Sequence, residues 1–279
     1  MFSKQGFAKI TICNNLAIED AYQSEPLSFA GLALEGAKKI KKVIPGFYAK
    51  KGKRGRPPKD HRLMVEAMIY FLRVGCPWRD LPTFFGSWNS VYTRWRRWAL
   101  CGVWAKLLPI LAKGARGKLR AVDATHIKVH QHGANPRGGQ ALHAIGRTKG
   151  GLNSKLHAVV DGKGRALALV LTAGQVHELR AAPQLLESLR KVILIGDKAY
   201  GSKDFARLVA ERDSRICVPA KSNCRHPLPF HRGWYRKRHH VENFFQRAKA
   251  LRRFATRYDK SASCFLATVC LAAVLDWIR

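Results

Sequence analysis

Acidic residues are scarce in this 279-residue chain, 18 Asp and Glu against 51 Lys and Arg, so their positions carry information. Asp123 follows the run Leu119-Arg120-Ala121-Val122, and Asp197 follows Val192-Ile193-Leu194-Ile195-Gly196. Each run reads as a short buried strand, which puts each carboxylate at a strand's carboxyl end, where α/β proteins build their sites. Two carboxylates on adjacent strands repel each other unless a cation lies between them. Oxygen ligands of this kind suit a hard ion such as Mg²⁺. Either Asp alone reads equally well as a turn or helix cap. The pair, in so basic a chain, favours the cation site.

A third acid, Glu242, lies in a helical pattern over about Arg238 to Arg253. At 100° per residue, Tyr235, Arg238, Glu242 and Lys249 fall on one narrow stripe, with Phe244, Ala248 and Leu251 on the opposite side. The apolar side is expected to pack on a sheet. The other aims a carboxylate, two cations and a tyrosine along one line, an arrangement suited to a metal ligand beside a phosphate backbone. A lone Glu among basic residues would otherwise be a salt-bridge partner. His126, His130, His132 and His143 invite a zinc reading, but their placement on a strand end and a Gly-rich loop favours loop or DNA contacts. His177 and Glu178, which follow Gly174-Gln175, read as lying near the site without an assigned role.

The elements that must position these residues follow from hydrophobic periodicity. Leu119–Ala124, Leu156–Asp161, Ala166–Thr172, Val192–Asp197 and Arg215–Val218 read as strands, with helices at Glu178–Leu189 and Lys203–Glu211. Three strands in a meander followed by helix and strand alternation predict an α/β domain with a mixed sheet, residues 113–279. Gly133 to Gly151 holds six glycines and reads as a mobile polar loop. Before the Lys113–Lys118 joint the pattern is helical. One helix starts at Asp60 and ends at Gly75, a short element follows around Trp78–Phe85, and a basic aromatic helix opens at Ser87 or Asn89. That is a helix-turn-helix reading for residues 51–112. Arg94, Arg96 and Arg97 on its last helix are the candidate groove contacts. An ordinary helical hairpin with a charged outer face is the alternative.

The net charge of +33 makes a polyphosphate the natural partner, so nucleic acid comes first. A basic membrane-surface protein would need a lipid anchor or a basic amphipathic helix. Neither is visible, and the apolar run Cys264–Ile278 contains Asp276 and falls short of a span. From Lys38 to Lys59 there are ten basic residues and no acid, which reads as a basic arm or linker, and residues 1–50 otherwise carry no assignment. The seven cysteines form no CxxC pair, and no signal-peptide pattern opens the chain. A reducing cytoplasm follows, with association to the nucleoid. Cys217 and Cys224 with His226 and His231 match no usual zinc spacing.

The spacing Tyr-x2-Arg-x3-Glu-x6-Lys resembles the signature of bacterial insertion-sequence transposases that use a DDE triad, in particular the IS-five-type family. The resemblance runs from about Gly55 to the C-terminus. It includes CPWRDLPTFFGSWNSVYTRWRRW, VDATHIKVHQHGA, GRTKGGLNSKLHAVVD, LTAGQVHE, GDKAYGS, VPAKSN and ATRYDK, and the first 45 residues lie outside it. It implies a ribonuclease-H-like catalytic fold, two Mg²⁺ ions (with Mn²⁺ as a substitute) and binding to terminal inverted repeats. By position it implies Asp123, Asp197 and Glu242 as catalytic metal ligands. Tyr235, Arg238 and Lys249 would hold DNA near them. Two metals about 3.5–4 Å apart would serve both hydrolysis and strand transfer, with no nucleotide cofactor. Joining two ends needs two active sites, so a homodimer on DNA is expected. A transposase-derived nuclease without strand transfer and a non-catalytic DNA-binding regulator are the competing readings. An RNA-binding module lacks its aromatic strand signature.

Overall fold

The computed structural model describes residues 60–220, 222 and 227–278. The N-terminal segment and basic arm read from the sequence, and Cys224 and His226, lie outside the described residues.

The helical portion starts with α1 (His61–Val74), capped by the Asp60 carboxylate, which accepts from Arg62 N at 3.0 Å. It ends at Gly75 with φ +75°, where a Cβ would meet Arg252 Cβ at 2.8 Å, so only glycine closes this helix. The short element expected next is two 3-10 turns, Trp78–Asp80 and Thr83–Phe85. Helices α2 (Trp88–Leu100) and α3 (Val103–Ala112) follow. Trp78 stacks on Phe71 with ring centroids 3.6 Å apart, and Trp95, Trp98 and Trp104 are fully buried. Burial of such a side chain contributes about 1.5–3 kcal/mol, so the aromatic spacing of α2 serves the interior first. Its Arg96 and Arg97 are left to the outside.

The sheet holds β1 (Leu119–Val129), β2 (Gly146–Thr148), β3 (Gly151–Asp161), β4 (Ala166–Ala173), β5 (Ile193–Ile195), β6 (Arg215–Cys217) and β7 (Thr256–Arg257). β3 runs antiparallel to β1 on one side and to β4 and β2 on the other, while β1, β5 and β6 are parallel. Three antiparallel strands followed by two parallel ones form the mixed sheet expected from the pattern.

β1 corrects one expectation. It does not end at Asp123 but continues to Val129, because β3 pairs along its whole length from Arg120↔Asp161 to Lys128↔Asn153. The apolar run stops at Val122 only because His126 and Lys128 are polar. The predicted helix Glu178–Leu189 is also broken, into a 3-10 turn at Glu178–Ala181 and a single turn, α4 (Ala182–Leu185). Pro183 cannot supply the backbone donor that a continuous helix would need there. The Gly133–Gly151 stretch follows the 3-10 turn Gln131–Gly133 and holds a second, Ala141–His143, and β2 rather than an unstructured loop.

α5 (Lys203–Ala210) connects β5 to β6, α6 (Arg232–Tyr235), α7 (His239–Lys249) and α8 (Arg252–Ala255) lie between β6 and β7, and α9 (Ala262–Ile278) follows β7. One apolar cluster joins α1, α2 and α3 to α7, α9 and one sheet face, including Ala121, Leu156, Ala158 and Val160. The opposite face, with Val122, Val159 and Leu167, packs on Tyr200, Phe205, Leu185 and Leu186. The helical portion and the sheet therefore share an interior across the joint at 113–118. No described helix is long and apolar enough to cross a membrane.

Candidate active site

The parallel register places Ala121 beside Ile195. Two residues further along each chain, Asp123 and Asp197 emerge side by side where β5 has ended. Asp197 starts the 3-10 turn Lys198–Tyr200, its carboxylate accepting from Ala199 N at 2.9 Å. It is therefore both a cap and a site residue, and the two sequence readings are compatible.

Asp123 is mostly buried, and this pushes its carboxyl up to about 6. The Ala124 N–H and the Arg238 guanidinium pull the other way, and the charges of Asp197 and Glu178 push it up further. A buried carboxylate beside two like charges is what a divalent cation relieves.

The helix bearing Glu242 is held from three directions. Val241, Phe244, Phe245 and Ala248 face the apolar cluster. Arg247 donates to both Asp276 oxygens, at 2.7 and 2.8 Å, and to Gly164 O at 2.8 Å. Gly164 has φ +78°, and a Cβ there would meet His240 O at 3.0 Å, so the β3–β4 turn approaches α7 through a glycine. At the C-terminal end, Lys249 Nζ donates to Thr125 Oγ1 of β1 at 2.7 Å.

Arg238 links the carboxylates: Nη1 donates to Asp123 Oδ2 at 3.1 Å and Nη2 donates to Glu242 Oε1. Among the described residues no three His, Cys, Asp or Glu side chains stand close enough to share a metal ion. Here a guanidinium bridges two of the acids instead. The donors nonetheless fit a hard cation, since all are carboxylate oxygens and a positive group is already drawn between them.

The four-residue stripe read from the sequence is only partly a helix face. Arg238 and Glu242 form the expected i, i+4 pair, and Lys249 lies on the same helix. Tyr235 instead ends α6, separated from α7 by the 3-10 turn Arg236–Arg238, and its ring lies 5.2 Å from that of Phe230. On α2, Arg96 and Arg97 are exposed. Arg94 departs from its expected role: it is half-buried and donates to His61 Nδ1 at 2.6 Å, tying α2 to α1. His130 stacks on Tyr258 and His143 receives Ala262 N–H, so these histidines organise loops.

Sequence reasoning missed Tyr200, Lys155 and His157. Tyr200 is fully buried and its hydroxyl has no hydrogen-bond partner among the described residues. His157 is also fully buried, 2.8 Å from Thr172 Oγ1, and burial, with Lys155 and His126 adding, pushes its ring down to about 4. The available signal was Tyr200 standing three residues after Asp197, and polar residues alternating through an otherwise apolar β3.

Residues 38–108 match the family model described as "Putative transposase of IS4/5 family", and residues 114–275 match that of the "Transposase DDE domain". The chain is 36% identical over 107 residues to "Uncharacterized protein y4sN" of Sinorhizobium fredii, covering 38% of this chain and 83% of that protein. It is 32% identical over 131 residues to the "Putative transposase for insertion sequence element IS6501" of Brucella ovis, covering 46% of this chain and all of that protein. Among solved structures, the piggyBac transposase synaptic complex with hairpin DNA aligns with 87% of this chain and 71% of its own. Its TM-score is 0.50 at 11% identity, a likeness of fold.

Proposed function

This chain belongs to the transposases built on the DDE domain, and from that premise we propose that Asp123, Asp197 and Glu242 are its catalytic acids. It is an insertion-sequence transposase with a ribonuclease-H-like catalytic fold. A DDE domain depends on a divalent metal ion, and Mg²⁺ is the ion proposed here. The observation that carries the assignment is the emergence of Asp123 and Asp197 side by side past β5, with Glu242 tied to Asp123 through one arginine.

The ion supplies charge neutralisation at the phosphate and a lowered pKa for the attacking water. Asp123, Asp197 and Glu242 would hold it. Arg238 is spare once the cation neutralises its two carboxylates, and its bidentate fork then suits a DNA phosphate. Lys249 on the same helix adds a second phosphate contact, and Tyr235 borders the pair. These residues bind and orient the terminal inverted repeat so that a phosphodiester lies at the acids. Hydrolysis frees a 3′-OH, and the same surface then holds that end against target DNA. Both steps draw chiefly on positioning and electrostatics.

Residues 51–112 are proposed as the DNA-recognition portion, with exposed Arg96 and Arg97 rather than Arg94 reaching DNA. Each lost phosphate contact lowers the slope of log affinity against log salt by about 0.9. Lys249→Ala is expected to show one such decrement and the Arg96→Ala/Arg97→Ala double variant two, read by fluorescence anisotropy across a salt series. An unchanged slope takes the residue off the DNA.

Cleavage and joining of labelled DNA from the gene's own flanks, with Mg²⁺, tests the whole reading. Ion-dependent 3′-OH release and joined products, both lost in Asp197→Asn, are expected. Nicks without joining would make the protein a nuclease on this fold. Binding without cutting in both proteins would leave a regulator. A homodimer on DNA, required for joining two ends, predicts a two-to-two protein–end complex by mass photometry.

A further inference from the structure

Glu178 opens the 3-10 turn that follows β4, and this turn packs on the Lys198–Tyr200 turn that Asp197 caps. The placement is fixed locally. His177 accepts from Leu179 N, and Lys155 Nζ donates to Val176 O at 2.9 Å. The Lys155 ammonium also pairs with Glu178, but at 3.5 Å and with its better hydrogen bond already spent on the Val176 carbonyl. The Glu178 carboxylate is therefore only loosely committed.

Its neighbours give it a purpose. The charge of Glu178 acts on both Asp123 and the Tyr200 hydroxyl, and the Tyr200 hydroxyl also feels Asp123 and Asp197. That hydroxyl is the orphan of the region: the side chain is fully buried, yet the O–H has no partner among the described residues. A buried unpaired donor surrounded by carboxylates calls for an oxygen-bearing ligand held between them. The flanking acids also match in one respect. Each has a cationic partner of its own, Glu242 with Arg238 and Glu178 with Lys155.

Resting on the triad reading above, we propose that Glu178 is a further acidic residue of the divalent-cation site, and that the Tyr200 hydroxyl donates to a water or phosphate oxygen held there. Glu178 comes from the turn after β4, whereas Glu242 comes from α7. It would enter the site by exchanging Lys155 for the cation, as Glu242 exchanges Arg238. Glu178 then raises the negative charge facing the ion without lying on the DNA-binding helix.

The test is Mn²⁺ binding to the full chain, with free Mn²⁺ read by electron paramagnetic resonance, in wild type, Glu178→Gln, Lys155→Met, Asp123→Asn and Asp197→Asn. Glu178→Gln is expected to weaken Mn²⁺ binding about tenfold while DNA affinity and melting temperature hold, and Glu178→Asp to recover part of the loss. Lys155→Met, which removes the competing cation, is expected to tighten binding several-fold. It decides the matter if Glu178→Gln does not fold. Wild-type Mn²⁺ affinity in Glu178→Gln or Lys155→Met, with binding lost in the two aspartate variants, overturns this inference alone. Unaltered binding in the aspartate variants overturns the triad reading with it.

Discussion

Asp123→Asn will abolish cleavage of transposon ends, by on the order of 10³-fold or more, while leaving end binding within about twofold of wild type. A 10³-fold loss corresponds to about 4 kcal/mol of transition-state stabilisation, the scale expected when a carboxylate holding the catalytic cation is removed. The same substitution will make the cation-free protein more stable at neutral pH. The Asp123 carboxyl is raised from 3.8 to about 6 by burial, with Asp197 and Glu178 adding. Its folded-state pKa lies above the unfolded value, so the cost is absent below about pH 4. It grows as pH rises toward 6 and is complete above that. Its full size is about 3 kcal/mol, an upper figure because the side chain retains 21% exposure. Melting curves in chelator should therefore show Asp123→Asn above wild type at pH 7.5 and level with it at pH 4. Adding Mg²⁺ should raise wild type but not the variant, since only a competent site gains stability from its ligand. Equal melting temperatures at both pH values would mean that the burial of Asp123 carries no electrostatic cost. Retained cleavage would remove it from the triad.

The site was legible where chemistry and periodicity coincide. Asp123 and Asp197 stood out because acids are rare in a chain of net charge +33 and because each followed an apolar run. The parallel register of β1 and β5 then brought them together. The helix stripe gave Arg238, Glu242 and Lys249 because α7 spans the last two and the turn leading into it continues their phase. Tyr235 broke the pattern because periodicity cannot show a change from helix to 3-10 turn between Tyr235 and His239. Arg94 looked equivalent to Arg96 and Arg97 because charge spacing alone does not reveal that His61 lies across from it. Tyr200 was hidden for another reason, and Glu178 was read only as lying near the site. Their convergence depends on two turns far apart in sequence, and no local pattern encodes that contact. The length of β1 was hidden because its second half is polar on one face: His126 lies 2.9 Å from Asn153 of β3, a pairing visible only once the register is known.

Arg257, which the sequence offered only as part of ATRYDK, is expected to have the largest effect on stability of any residue outside the site. It is fully buried on β7, the strand that pairs with the far end of β1. Its guanidinium donates to Asp259 O, Ala144 O, Ser154 Oγ and Lys260 O at 2.6–3.3 Å and lies 5.1 Å from the Phe265 ring centroid. Burial holds its pKa down to about 10, with Asp259 opposing. The group stays charged at pH 7 and serves as a four-way tie. It joins the Gly-rich segment at Ala144, which sits at φ +53°, to β3 and to the start of α9. Arg257→Ala leaves these acceptors without their donor and Asp259 with Arg253 as its remaining nearby cation, which costs about 3–5 kcal/mol. Arg257→Lys keeps the charge but not the fork, so it should recover only part of this. Chemical denaturation with an unchanged m-value would read the loss as stability alone. A loss below about 1 kcal/mol in Arg257→Ala would show that water replaces the guanidinium, and that the Gly-rich segment is anchored elsewhere. The expected result ties that segment to the strand proposed to carry a catalytic acid. β7 and β3 grip β1 at Lys128 and Ser154 lies opposite Ile127, so loosening Arg257 frees the same strand that carries Asp123.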